Sequence, residues 1–304
     1  MARADDVTAR RRPVRASAVA VVVAVGLAAA TAGCGGRAAR SELAEASSLV
    51  TQAEPAVLAV DRAVRSEVTT ATTQAAEDAL RRIPPAVELL TRAQALVERA
   101  RGRIADKDRA LADALDESIA ARMEMLKRAE PVLKADVSVA TALGPAMEAW
   151  SLVASAEKKA EDAVAAFNAH TKQGVQRSTQ LTTEADASLA KARSLLETVA
   201  AGVPEADMAP FVAYIDAKRA LLAESRRIDA TWLAGKVADA NAMLGAYNAK
   251  EKQVAEQAKR LPGSPASVLA QAYRRIVEKD VTAYFEAREK ARSADVRVRS
   301  LNGG

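Results

Sequence analysis

The chain is short of the side chains that do most chemistry. Its 304 residues hold one cysteine, one histidine, two tryptophans, three phenylalanines and four tyrosines. A lone Cys34 forms no internal disulfide, and with His170 the only histidine, zinc sites of the Cys/His type are excluded. A Ser–His–Asp site could draw only on His170, and no Gly-x-Ser-x-Gly elbow accompanies it. His170 lies in Ala169-His170-Thr171-Lys172, near a predicted helix end, where a histidine complements the helix dipole. Strand-like alternation is missing, so no glycine-rich phosphate loop follows a strand. The carboxylate pairs Glu124/Glu130 and Glu157/Glu161 suggest a hard cation, but without a clustered loop they read as surface ion-pair residues. The expectation is a chain with no catalytic residue, no metal ligand and no cofactor, and so not an enzyme.

What is present begins with a leader. Arg3, Arg10, Arg11, Arg12 and Arg15 stand against Asp5 and Asp6, and residues 16–36 then carry no charge. The run from Ala18 to Leu27 is apolar, and small residues follow it, Ala30-Thr31-Ala32-Gly33-Cys34. A basic start, an apolar middle and a small-residue end make the layout of a secretory signal. Residues 1–36 resemble the lipobox-type signal of bacterial lipoprotein precursors. That resemblance implies cleavage between Gly33 and Cys34, with a diacylglycerol carrying palmitate-type chains on the Cys34 sulfur. It departs from the family pattern at Thr31, where leucine is usual. Two other readings stay open. Cleavage after Ala32 would release a soluble protein with a free thiol. The 21 uncharged residues could also remain as a spanning helix, which needs about 20. A twin-arginine signal fits poorly, since Pro13 and no aromatic follows the arginines.

Removing residues 1–33 leaves 39 basic and 37 acidic side chains, a net charge of +2. A protein that tracks phosphates needs a concentrated basic face, so nucleic acid is excluded as a partner. The remaining 271 residues are dominated by alanine, the strongest helix former. Apolar residues recur at three and four. Leu43, Ala46, Val50, Ala53, Val57, Val60 and Val64 form one seam, and Ala86, Leu90, Ala93, Val97, Ala100 and Ile104 another. Ala149, Val153, Ala156, Ala160, Ala163 and Phe167 repeat the pattern, as do Val237, Ala240, Leu244, Tyr247, Val254, Ala258 and Leu261. Such seams belong to helices packed side by side. Breaks are expected at Pro84-Pro85, Gly102, Gly144-Pro145, Gly174, Gly202 to Pro210 and Pro262 to Pro265. Pro55 reads as a kink, and Gly235 and Gly245 as glycines inside one helix from 210 to 260. The Ser/Thr-rich runs Ser66–Thr73 and Ser178–Thr183 read as softer helical segments.

The chain also repeats with a period of about 100 residues. Residues 45–54 match 148–157 at seven of ten positions, and Leu90, Ala93, Leu96 and Glu98 match Leu189, Ala192, Leu195 and Glu197. Leu115, Asp116, Ala120 and Glu124 face Ile215, Asp216, Ala220 and Glu224. Duplication is one explanation, and chance alignment of alanine-rich heptads is the other. The fold expectation is all-α: an elongated, antiparallel, coiled-coil-like helical bundle, in two spectrin-repeat-sized units if the repeat is genuine. The expected divisions are a signal peptide at 1–33, a lipidated tether at 34–40, helical units at 41–143 and 144–297, and a flexible tail at 298–304.

The functional expectation is a membrane-anchored lipoprotein on the extracytoplasmic face of the cell membrane. It is tied to the bilayer through acylated Cys34 and offers helical faces to a protein partner or to a second copy. The alternative is a ligand-binding or sensory lipoprotein that holds a small molecule or lipid among its helices. Trp150 and Trp232 are candidate anchors for a partner, against the simpler reading that each fills a hole between alanine-rich helices.

Overall fold

The computed structural model describes residues 34–302, so the signal-like segment lies outside the described residues. Seven α-helices and no strand occur among them: α1 (Cys34–Val64), α2 (Thr73–Arg101), α3 (Asp106–Phe167), α4 (Lys172–Gly202), α5 (Ala209–Leu233), α6 (Val237–Lys259) and α7 (Pro265–Asn302). The protein is all-α. Residues 34–40, expected as a tether, form the first turns of α1, and α7 remains helical through Asn302.

Proline breaks fewer helices than expected. No break occurs at Pro84-Pro85 or at Gly144-Pro145, because α2 and α3 run through them. A mid-helix proline removes one backbone hydrogen bond and crowds the preceding turn. Pro55, Pro84, Pro85 and Pro131 are exposed and Pro145 is half-buried, so none of them lies on a fully buried helix face. In α2 the buried residues Ala76, Ala79, Ile83, Ala86, Leu90, Ala93, Val97 and Ala100 keep one register across the proline pair. Burial of that seam outweighs the lost bonds.

Glycine breaks one helix that the periodicity joins. The single helix expected over 210–260 divides into α5 and α6 at Gly235, whose φ is +79°. The Gly235 N–H donates to Trp232 O at 2.9 Å and the Lys236 N–H to Thr231 O at 3.2 Å. These two bonds make a Schellman cap, which requires a left-handed residue that only glycine adopts without strain. Gly245 stays helical within α6. Most of the Ser66–Thr73 run, up to Thr72, is a turn between α1 and α2, where the Thr72 hydroxyl donates to Glu67 O and accepts from the Thr69 N–H.

The helices gather into two compact units, one of residues 34–137 with 274–302, the other of residues 138–273. Division at the sequence breaks alone groups the last helix with residues 144–297; the packing divides α7 at Arg274. In the first unit, ion pairs fix the helix directions. Arg40 to Asp108 and Arg122 to Glu54 each span 68 residues, so α1 and α3 run parallel. Arg128 to Asp280, 3.0 Å, and Arg122 to Asp295, 2.8 Å, set α7 antiparallel to α3. α3 contains a window that is apolar enough to cross a membrane by length and composition, and a third of that window is buried in the fold.

In the second unit, α4 and α5 run antiparallel, paired by Arg193 with Asp216 at 3.0 Å and by Arg219 with Asp186 at 2.8 Å. Tyr214 and Lys218 of α5 reach Glu157 of α3. The residues that the 100-residue match aligns are buried alike, as duplication or shared heptads would each leave them. Ala86, Leu90, Ala93 and Val97 in α2 are buried, and so are Ala185, Leu189, Ala192 and Leu196 in α4. Gln94 reaches Asp116 in one unit, and Arg193 reaches Asp216 at the corresponding positions of the other.

Candidate functional site

Buried polar groups are expensive unless they are paired, so they mark where a helical core does something besides pack. The first unit holds two such clusters, and in both the buried charge has counter-ions. Arg122, with its side chain 7% exposed, donates to Glu54 of α1 and to Asp295 of α7. Ser118 also donates to Asp295, at 2.7 Å. Burial works against charge on Arg122, but the hydrogen bonds and attraction of Asp295 and Glu54 outweigh it and raise the guanidinium pKa. A cavity of about 20 Å³ beside it is lined by Ser47, Thr51, Glu54, Ser118, Arg122 and Asp295. Val50, Leu115 and Val298 complete its walls, which are part polar and part apolar, with room for about one water molecule. In the second cluster Asp61 accepts from the Tyr284 hydroxyl at 2.9 Å and from Arg288 at 2.7 Å, and Arg65 stands 3.4 Å away. Burial first, then the charge of Asp61, raises the Tyr284 phenol pKa.

The second unit holds a cluster whose buried carboxyl has no counter-ion among the described residues. Asp229 of α5 is 1% exposed and makes no ion pair among the described residues. Thr179 Oγ1 lies 3.0 Å from its Oδ2 and 3.2 Å from Val175 O. Ser178 Oγ faces the carboxyl without closing a hydrogen bond, and it and Asp229 Oδ1 are both buried without a partner. Burial raises the Asp229 pKa, partly offset by Ser178 and Thr179. At corresponding places the first unit has Ala79, Ile83 and Ala129 where this one has Ser178, Thr182 and Asp229, all six buried. The fold therefore does not need polar groups in this layer.

Beside the cluster, Phe167, Val175, Ile228 and Ala240 form a buried apolar patch, with Trp232, Leu233, Met243, Leu244 and Tyr247 packed on it. Trp232 is half-buried there, and Trp150 is half-buried with its ring edge-on to Phe211 at 5.7 Å. His170 ends the turn after α3 at φ +51°, its ring edge-on to Phe167 at 6.2 Å. The carboxylate pairs are not brought together as ligands: Glu124 pairs with Arg128, Glu130 with Lys134, Glu157 with Lys218 and Glu161 with Lys158. Among the described residues no group of three or more His, Cys, Asp or Glu is placed to hold a metal ion. α1 begins at Cys34.

Sequence reasoning passed over Arg122, Asp61 and Asp229. A signal for Asp229 lay in the repeat, since aligning Asp116 with Asp216 sets Ala129 against it. No protein-family model, no curated protein and no solved structure matches the chain.

Proposed function

We propose that the chain is a lipoprotein of the cell envelope, tethered to the extracytoplasmic face of the membrane through acylated Cys34, and that it works as a non-enzymatic structural or protein-interaction module. The observation that carries the reading is the junction at Cys34. The lipobox-like Ala30-Thr31-Ala32-Gly33-Cys34 run leads directly into α1, and Ala39 and Leu43 are already buried in the core. A lipid on that sulfur would hold a helical unit at the membrane with no linker between them. Two acyl chains suffice for stable anchoring. An interaction role is supported by α6, where only Ala240 and Val254 of its residues Val237–Lys259 are buried.

The test is crosslinking in cells, affinity purification and mass spectrometry of the native protein beside Cys34→Ser. The expected result is an acylated Cys34 and a dominant crosslinked protein, or a second copy, that is lost with Cys34→Ser. An unmodified thiol on a released protein overturns the anchor, and acylation without any crosslinked protein overturns the interaction role.

A further inference from the structure

We propose that Asp229, with Ser178 and Thr179, is a proton-operated latch: a proton on Asp229 keeps α6 seated on α5, and loss of that proton lifts α6 and uncovers the apolar patch beneath it. The hydroxyl of Thr179 has one hydrogen but two oxygens within reach, Val175 O at 3.2 Å and Asp229 Oδ2 at 3.0 Å. With Asp229 ionised, that hydrogen is shared between the two oxygens as a weaker three-centre bond; each contact is a full hydrogen bond when Asp229 brings the second hydrogen. A carboxylic acid at Oδ2 then donates to Thr179, and Thr179 donates to Val175. The uncharged carboxyl also leaves Oδ1 facing only the Ser178 hydroxyl. Ionised, the same group would be a buried charge with no counter-ion, a state that proteins avoid by neutralising or by opening.

The groups around it give the charge no relief. From α4 it meets the hydroxyls of Ser178 and Thr179, while Thr182 Oγ1 turns back to Ser178 O. On α5, Arg226 is committed to Thr182 O and to Asp186, and Glu224 is held by Lys250 of α6. From α6 the Tyr247 phenol lies within electrostatic reach of Asp229. Its pKa is pushed up to about 12 by burial first, then by Glu251, Asp229 and Glu224. From α3 the neighbouring patch receives Phe167, which is apolar. Burial and the two α4 hydroxyls are thus what acts on the carboxyl, and no basic side chain is paired with it among the described residues.

The part that moves is α6, because it is the least buried helix of the unit and Gly235, at φ +79°, joins it to α5. Elements with few buried contacts open at the smallest free-energy cost. Opening would hydrate Asp229 and expose Trp232, Met243, Leu244 and Tyr247 to a partner.

The sign follows from linkage. An acid whose pKa is raised when closed holds its proton there more tightly than when open. The closed form is thus fully favoured below the ordinary aspartate range and loses ground as pH rises toward the raised pKa. Hydrogen exchange of α6 in the full chain, corrected for the intrinsic pH dependence of exchange, tests this beside Asp229→Asn and Asp229→Ala. The wild-type opening constant should rise about tenfold per pH unit within that window. Both variants should show a flat profile and keep α6 protected, Asn because it resembles the neutral acid and Ala because Ala129 fills the matching position. A wild-type profile as flat as the variants', or variants that keep the wild-type slope, overturns the latch. So does a slope that appears equally in helices remote from Asp229.

Discussion

Arg122 and Asp229 are buried to a similar degree but in opposite circumstances. Arg122 reaches two carboxylates on different helices, and Asp229 reaches only hydroxyls. A buried ion pair adds little over a well-packed apolar core, but removing one partner strands the other. Arg122→Leu leaves Glu54 and Asp295 facing each other across a 20 Å³ cavity. Both carboxylates keep some contact with water, their side chains 21% and 17% exposed, which trims the loss. The expected cost in urea unfolding is about 3 kcal/mol. Replacing Glu54, Arg122 and Asp295 together with leucines should recover most of it. A triple variant no more stable than the single one would show that the trio stabilises beyond its own desolvation. None of this was visible in a string of letters. Arg122 and Asp61 look like the other charges between seams, and only the helices that approach them turn exposed positions into buried ones.

At the scale of a helix, the sequence carried most of the information about period and little about where helices stop. The 3-4 seams named the buried faces of α1, α2 and the end of α3 nearly residue by residue. Stops were misjudged because the rules for proline and glycine are local, while their outcome depends on the side of the helix they occupy. Prolines facing water were tolerated, and one glycine in a left-handed cap divided a periodic run. Gly174 marks a third situation. It sits in the first turn of α4, capped by the Thr171 hydroxyl that accepts its N–H at 3.0 Å. A Cβ there would lie 2.5 Å from Ala166 O, a backbone atom that cannot swing aside. Gly174→Ala should therefore destabilise by about 1–3 kcal/mol, despite alanine's better helix propensity, by forcing the α3–α4 turn apart. Thermal unfolding reads this directly. An unchanged or raised midpoint would mean that the turn yields without cost.

Across the whole molecule, residues about 100 positions apart are buried alike in α2 and α4, and Gln94–Asp116 and Arg193–Asp216 pair at matching places. What could not be read was the membership of the last helix, because no local pattern says which distant surface it will cover. Asp61 and Tyr284 meet across 223 positions, and Arg288 reaches Asp61 across 227. Cutting the chain after Tyr273 removes the α7 residues of the first unit and leaves residues 138–273 whole. Such a truncation should make residues 34–137 sensitive to limited proteolysis while residues 138–273 stay resistant, as mass spectrometry of the fragments would show. Equal resistance of both would mean that α1, α2 and the start of α3 close on themselves.

That long-range closure sets an order of events. Contacts between remote positions form only after the intervening chain exists, and closing so large a loop is slow. As the polypeptide is made from its N-terminus, α1, α2 and the first half of α3 emerge with Asp61 and Arg122 still lacking Tyr284, Arg288 and Asp295. Residues 138–273 gather into a compact unit within one continuous stretch. The segment made first is thus the segment finished last, and throughout synthesis it presents a bare apolar flank that some other surface must shield until the final helix arrives.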